Sequence, residues 1–234
     1  MNGKVHSIQT LGTLDGRGVR FVVFLQGCNL RCGCCHNPDT WGAGGREMSS
    51  SEIAEKVTRY RTYFGKEGGI TLSGGEPLLQ AEFAKELFER CHERGINTCL
   101  DTSGSVLSDA VSALLDVTDR VLLDIKYPTD AQYQAFVGCS IEAPLTFLSV
   151  LQEKKIPATL RQVIIPTLND TAESMAFLNM LAGQYPVVDG IELLPFKKIC
   201  KTKYDQMGME FPFEKYDIPT AEKMAELQKM LKKH

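Results

Sequence analysis

After residue 20 the chain alternates between short β-branched or apolar runs and longer segments of helical period, and this alternation most restricts its fold. Strand-like runs fall at Arg20–Leu25, Gly69–Ser73, Asn97–Asp101, Arg120–Ile125, Ala158–Ile165 and Gly190–Pro195. Amphipathic stretches separate them. Ser49 with Glu52 makes a capping-box pattern ahead of Ile53, Val57, Tyr60 and Phe64 on one helical face. Leu79–Arg94 is a second helix with Gly95 as its stop, and Ser108–Leu115, Pro144–Lys154, Thr171–Gln184 and Thr220–Lys233 follow. The last runs into Lys232, Lys233 and His234, cations that suit a helix C-terminus.

Strand–helix alternation over six units predicts an α/β fold with a parallel sheet and right-handed crossovers. Six units fall short of the eight-strand barrel, which usually takes about 250 residues. A partial (β/α)6 barrel fits, as does a doubly wound sheet, and periodicity does not choose between them. No repeat, low-complexity tract or linker divides the 234 residues, so residues 1–234 read as one domain.

Composition narrows the function classes. Hydrophobic residues make up 43% and charged residues 24%, ordinary globular usage that excludes a disordered chain. A net charge of −3 without a basic block gives no footprint for nucleic acid. The longest apolar run, Phe21–Leu25, is far too short for a membrane span, and Met1-Asn2-Gly3-Lys4 does not begin a signal peptide. The expected location is cytoplasmic.

In parallel α/β architectures function collects at the C-terminal ends of strands. Those ends are polar here: a cysteine group after Leu25, then Ser73-Gly74-Gly75-Glu76, Asp101-Thr102-Ser103-Gly104 and Asp124-Ile125-Lys126, with Arg161 inside the fifth run. Of eight cysteines, Cys28, Cys32, Cys34 and Cys35 share one short loop, and clustering without an export signal points to metal rather than disulfides. A zinc site needs four closed ligands, usually from two separate knuckles, and these are crowded. A redox dithiol needs only two cysteines. Thiolates at 28, 32 and 35 could instead hold an iron–sulfur cube with its fourth iron open. In an extended segment Cys34 and Cys35 point apart, so both are not expected to ligate.

Cys28-x3-Cys32-x2-Cys35 followed by His36-Asn37 resembles the signature of the radical S-adenosylmethionine enzymes. Thr13-Leu14-Asp15-Gly16-Arg17-Gly18-Val19-Arg20, Asn37-Pro38-Asp39-Thr40-Trp41, Leu72-Ser73-Gly74-Gly75-Glu76-Pro77 and Glu192-Leu193-Leu194-Pro195 make it similar to the activases of glycyl-radical enzymes. The resemblance implies a partial (β/α)6 barrel with parallel strands. It also implies a [4Fe–4S] cluster on Cys28, Cys32 and Cys35, and S-adenosylmethionine as cofactor, cleaved reductively so that a hydrogen is taken from a partner's glycine.

The same resemblance implies contacts to S-adenosylmethionine from Cys34, Cys35, His36, Gly74, Gly75, Glu76, Asp124, Ile125, Lys126, Arg161 and Lys197. Glu76 would face the methionine ammonium and Arg161 its carboxylate. Asp101 and Asp124 would ligate a monovalent cation, although Lys126 could supply the neutralising charge instead. Asp15, with Arg20 in the same segment, would lie near the incoming glycine loop. A short turn is the structural alternative at Asp15.

Departures from the family pattern are Cys34 for an aromatic, Arg17 for a proline, Lys197 for a histidine and Cys200 for a glycine, whereas Lys203-Tyr204 and Met207-Gly208 return to it. The stretch from Cys35 to Ser73 holds no further cysteine and is too short for the ferredoxin-like insert of some relatives. The implied partners are pyruvate formate-lyase or a similar glycyl-radical enzyme, with flavodoxin or ferredoxin as electron donor.

Overall fold

The computed structural model describes residues 1–232, and its frame is one sheet of eight strands in the order β3-β1-β2-β4-β5-β6-β7-β8. Six strands are parallel: β2 (Arg20–Leu25), β4 (Gly69–Gly74), β5 (Asn97–Thr102), β6 (Arg120–Asp124), β7 (Ala158–Ile164) and β8 (Val188–Pro195). These are the six runs expected from the sequence, each within two residues of its expected ends. The sheet is open between β3 and β8, consistent with an incomplete barrel.

Two antiparallel strands were not anticipated: β1 (Asn2–Gly12) pairs with β2, and β3 (Arg46–Ser49) with β1. β1 has irregularities between Val5 and Ser7 and between Gln9 and Gly12, which break the period-two signal.

Helices cover the sheet: α1 (Ser50–Thr58), α2 (Ala81–His92), α3 (Asp109–Leu115), α4 (Asp130–Phe136), α5 (Glu142–Lys154), α6 (Ala172–Gln184), α7 (Lys201–Gln206) and α8 (Ala221–Met230). The Ser49 side chain caps α1 at the Glu52 amide, but Glu52 turns to Lys56, so only half of the capping box forms. Gly95 closes α2 at φ +64°, with Ile96 N–H bonded to Cys91 C=O and Gly95 N–H to His92 C=O, a Schellman ending. Leu79 and Gln80 enter α2 through a 3-10 turn. α8 stops at Met230, short of the expected Lys233; Lys233 and His234 lie outside the described residues.

The main core lies between sheet and helices, where Leu87 and Phe88 of α2, Leu148 of α5 and Leu178 of α6 are fully buried. Each such side chain contributes about 1.5–3 kcal/mol. A second apolar cluster, including Tyr133, Val137, Phe196, Tyr204 and Phe213, packs around the cysteine loop. No described helix is long and apolar enough to cross a membrane.

Candidate active site

The polar strand ends meet in a cavity of about 280 Å³. Asp15, Cys28, Cys32, Cys34, Cys35, His36, Gly74, Gly75, Glu76, Asp101, Asp124, Lys126 and Arg161 all line it. Two expected residues do not. Ile125 is buried in the core, and the Lys197 side chain is exposed; the Lys197 carbonyl instead accepts from His36 Nε2 at 3.0 Å. Arg20 also departs from its expected neighbourhood. Its side chain is buried among Thr71, Asn97 and the Glu67 carbonyl, near the starts of β2, β4 and β5.

Cys35 N–H bonds to Cys32 C=O at 3.0 Å, making a turn with Gly33 and Cys34 at its centre. The segment is therefore not extended, which corrects the geometry assumed for Cys34 and Cys35. Gly33 N–H donates to Phe136 C=O, and a Cβ at Gly33 would run into the Phe213 ring. Cys34 is buried in the apolar cluster beneath the loop. Leu30 N–H donates to Cys28 Sγ at 3.4 Å, the kind of bond that supports a cluster thiolate. Burial pushes the Cys28 thiol up to about 11 and the Cys35 thiol to about 12, and it raises Cys32 as well.

Among the described residues, no three His, Cys, Asp or Glu side chains converge as ligands of one metal ion. A cube would offer each thiolate its own iron rather than require them all to converge on one ion. The donor set fits such a cluster: three thiols on one loop, a sulfur-directed amide and the Lys126 ammonium in the same cavity.

The Gly-Gly-Glu turn is built against this loop. Gly75 N–H bonds to Leu25 C=O and Glu76 N–H to Gly27 C=O. Gly74 sits at φ +109°, and a Cβ on Gly75 would strike the Gly27 carbonyl, so both positions need glycine. Glu76 is buried. Its Oε1 accepts from Leu78 N–H at 3.1 Å and from the Thr102 hydroxyl; its Oε2 accepts from the Ser103 amide at 3.0 Å and the Ser103 hydroxyl. Burial raises its pKa against these donors. All four acceptor positions are filled within the chain. An incoming ammonium would have to displace one of them.

Asp124 accepts from Lys126 Nζ at 2.7 Å, so Lys126 answers Asp124 where a monovalent cation was also expected. Asp101 accepts from Ser73 Oγ at 2.7 Å and lies 3.3 Å from Arg161. Burial pushes the Asp101 carboxyl up, Arg161 opposing and Asp124 adding to the rise. Arg161 also lies 3.2 Å from Glu192 and reaches the Leu14 carbonyl. Burial works against its charge, but Asp101, Asp124 and Glu192 outweigh that and keep it protonated. Asp15 is raised by burial, with Arg161 and Arg20 pulling it back. The cations Lys126 and Arg161 thus share the cavity wall with the carboxylates of Asp15, Glu76, Asp101 and Asp124.

Several contributors lay outside the sequence reading. Asn37, Asp39 and Lys203 form a bonded group beside the loop, and Val163 and Leu194 line the cavity. Motif position marked Asn37, Asp39, Leu194 and Lys203 without assigning their contacts; nothing marked Val163 as a site residue.

A partial parallel barrel with a three-cysteine loop at its mouth defines the class, and comparison with known proteins agrees. Residues 22–178 match the family model of the Radical SAM superfamily. The chain is 39% identical to the pyruvate formate-lyase-activating enzyme of Clostridium pasteurianum, covering 98% of this chain and 97% of that protein. It is 38% identical to the pyruvate formate-lyase 1-activating enzyme of Escherichia coli strain K12, covering 99% and 96%. A solved domain of a pyruvate-formate lyase-activating enzyme from Bacteroides vulgatus superposes with TM-score 0.58 at 24% identity, over 70% of this chain and 92% of that one. A radical SAM methyltransferase from Sphaerobacter thermophilus gives 0.67 at 18%, over 91% and 63%. The last two show the fold alone. The chain belongs to the Radical SAM superfamily and, within it, to the family of the pyruvate formate-lyase-activating enzymes.

Proposed function

We propose that the chain is an activating oxidoreductase that takes a hydrogen atom from a glycine of pyruvate formate-lyase and leaves a glycyl radical there. The observation that carries this reading is the meeting of the Cys28, Cys32, Cys35 loop, the Gly74-Gly75 turn and the Arg161–Asp101 pair in one cavity, in a chain so similar over its full length to known activases. When bound, a [4Fe–4S] cluster and S-adenosylmethionine supply reductive cleavage of the sulfonium and the radical that abstracts the hydrogen.

The chain's own part is binding, orientation and exclusion of water. Cys28, Cys32 and Cys35 hold the cluster. Gly74 and Gly75 let backbone approach the cofactor's methionine end, and Arg161 meets its carboxylate. Glu76 holds the turn that carries both glycines. Cys34, Cys35 and His36 form the wall on the loop side.

A protein substrate suits the mouth. Leu14, beside the cavity residue Asp15, is 75% exposed. The chain after β8 packs on the outer side of the cysteine loop rather than across the cavity. Flavodoxin or ferredoxin is the electron donor in this reading.

The test is anaerobic incubation of the reconstituted protein with S-adenosylmethionine, reductant and pyruvate formate-lyase, read by electron paramagnetic resonance. A glycyl-radical signal on the lyase is expected. Cofactor cleavage without that signal would move the assignment to a small-molecule substrate.

A further inference from the structure

The chain after β8 grips the cysteine loop from outside at four points. His36 Nε2 donates to the Lys197 carbonyl at 3.0 Å, and Tyr204 Oη donates to the Cys35 carbonyl at 3.3 Å. Lys203 Nζ donates to Asn37 Oδ1 at 2.8 Å and Asp39 Oδ1 at 3.0 Å. The Phe213 ring occupies the space beside Gly33. Asp39 is held again at its other oxygen, 3.1 Å from His6 Nε2.

These contacts supply what the loop lacks. Between Cys32 and Cys35 there is one internal backbone bond, so the turn takes its position from its neighbours. On one side the α4 end receives the Arg31 and Gly33 amides at Val137 and Phe136. On the other, Lys203 ties down Asn37 and Asp39, one and three residues after His36, and Tyr204 ties down the Cys35 carbonyl. Tyr204 is fully buried, edge-on to Trp41 with ring centres 6.0 Å apart and against Phe211 at 4.9 Å. Neither Lys203 nor Tyr204 lines the cavity, so any effect on the site passes through the residues they hold, the loop and Trp41.

We propose that Lys203 and Tyr204 are positioning residues for the cluster: through Asn37, Asp39 and the Cys35 carbonyl they fix the Cys35 thiolate and determine how tightly its iron is retained. Partners that orient a metal ligand commonly change retention without touching the metal. The inference rests on the reading that Cys28, Cys32 and Cys35 hold a cluster.

The experiment compares anaerobically reconstituted wild type with Lys203→Met, Lys203→Arg, Tyr204→Phe and Lys201→Met. The last is a partly exposed lysine on the same helix, paired among the described residues with Asp205 and Glu214. Iron release to a ferrous chelator is timed, spectra of the reduced cluster are recorded, and circular dichroism checks folding. Lys203→Met should release iron about 10–100-fold faster, with an altered cluster spectrum. Tyr204→Phe should move the same way, Lys203→Arg should recover toward wild type, and Lys201→Met should match it. Tyr204→Phe keeps the packed ring, so it carries the test alone if Lys203→Met is unfolded. Wild-type release from Tyr204→Phe and Lys203→Met overturns the inference, as does equal loosening by Lys201→Met. A wild type that takes up no cluster overturns the underlying reading as well, which separates the two failures.

Discussion

Ser103, just beyond β5, donates both its amide and its hydroxyl to one carboxylate oxygen of Glu76, which follows β4. The carboxylate therefore fastens two neighbouring strand ends together before any ligand arrives. Ser103→Ala leaves the amide bond and removes the hydroxyl from a buried acceptor. It should cost about 1–3 kcal/mol. Because a lone pair of Glu76 is then freed, S-adenosylmethionine affinity should hold or rise. Thermal unfolding and calorimetric titration measure the two effects, and a large loss of affinity would show the hydroxyl to be a ligand contact instead.

Gly75 has no room for a side chain, since its neighbour is the backbone carbonyl of Gly27 rather than a flexible side chain. Gly75→Ala must push the Gly-Gly-Glu turn away from the cysteine loop. A loss of about 1–3 kcal/mol is expected in urea unfolding, with cofactor binding impaired in the folded fraction.

Arg20 is a structural post rather than a partner contact. Arg20→Met leaves Asn97 Oδ1, the Glu67 and Ile70 carbonyls and Thr71 without their donor. At about 1–3 kcal/mol for each unsatisfied buried group, the loss should exceed 3 kcal/mol. Denaturation should show it. Affinity for a glycine-loop peptide should stay unchanged in the folded fraction.

Acid sensitivity has an identifiable source near the N-terminus. The Met1 ammonium, Arg90 and the Ser50 hydroxyl hold Glu86 down at about 2. A depressed carboxylate stabilises the fold above its unfolded value of 4.5, and that contribution fades as pH falls toward about 2. Glu86→Gln should flatten this part of a stability–pH profile and leave the spacing between wild type and variant constant between about pH 6 and 7, where the carboxylate is fully ionised and an α-amino group still charged. The group is near the surface, so salt should shrink the difference.

β2, β4, β5 and β6 were legible because each is a buried apolar run ending in or followed by polar residues, as in Leu72-Ser73-Gly74. β1 was not, since its bulges scatter Val5 and Ile8 out of alternation, and β3 is only four residues long. α4 and α7 were missed for a similar reason: seven and six residues, each burying a single side chain, carry no helical period. In the site, the motifs located nearly every lining residue. What they did not disclose was who bonds to whom. Glu76 reads as an ion-pairing residue, yet its partners are Thr102 and Ser103, one strand over. Lys197 works through its carbonyl, which any residue could provide. Cys34 lies inside a turn whose existence depends on contacts to Phe136 and Phe213, both remote in sequence.

The most direct measurement is anaerobic: reconstitute the protein with iron and sulfide, reduce it, add S-adenosylmethionine and quantify 5′-deoxyadenosine, with Cys32→Ala alongside. The account predicts release by the wild type and none by the variant. No release from a wild type shown to hold a reduced cluster, or equal release from both, would contradict it.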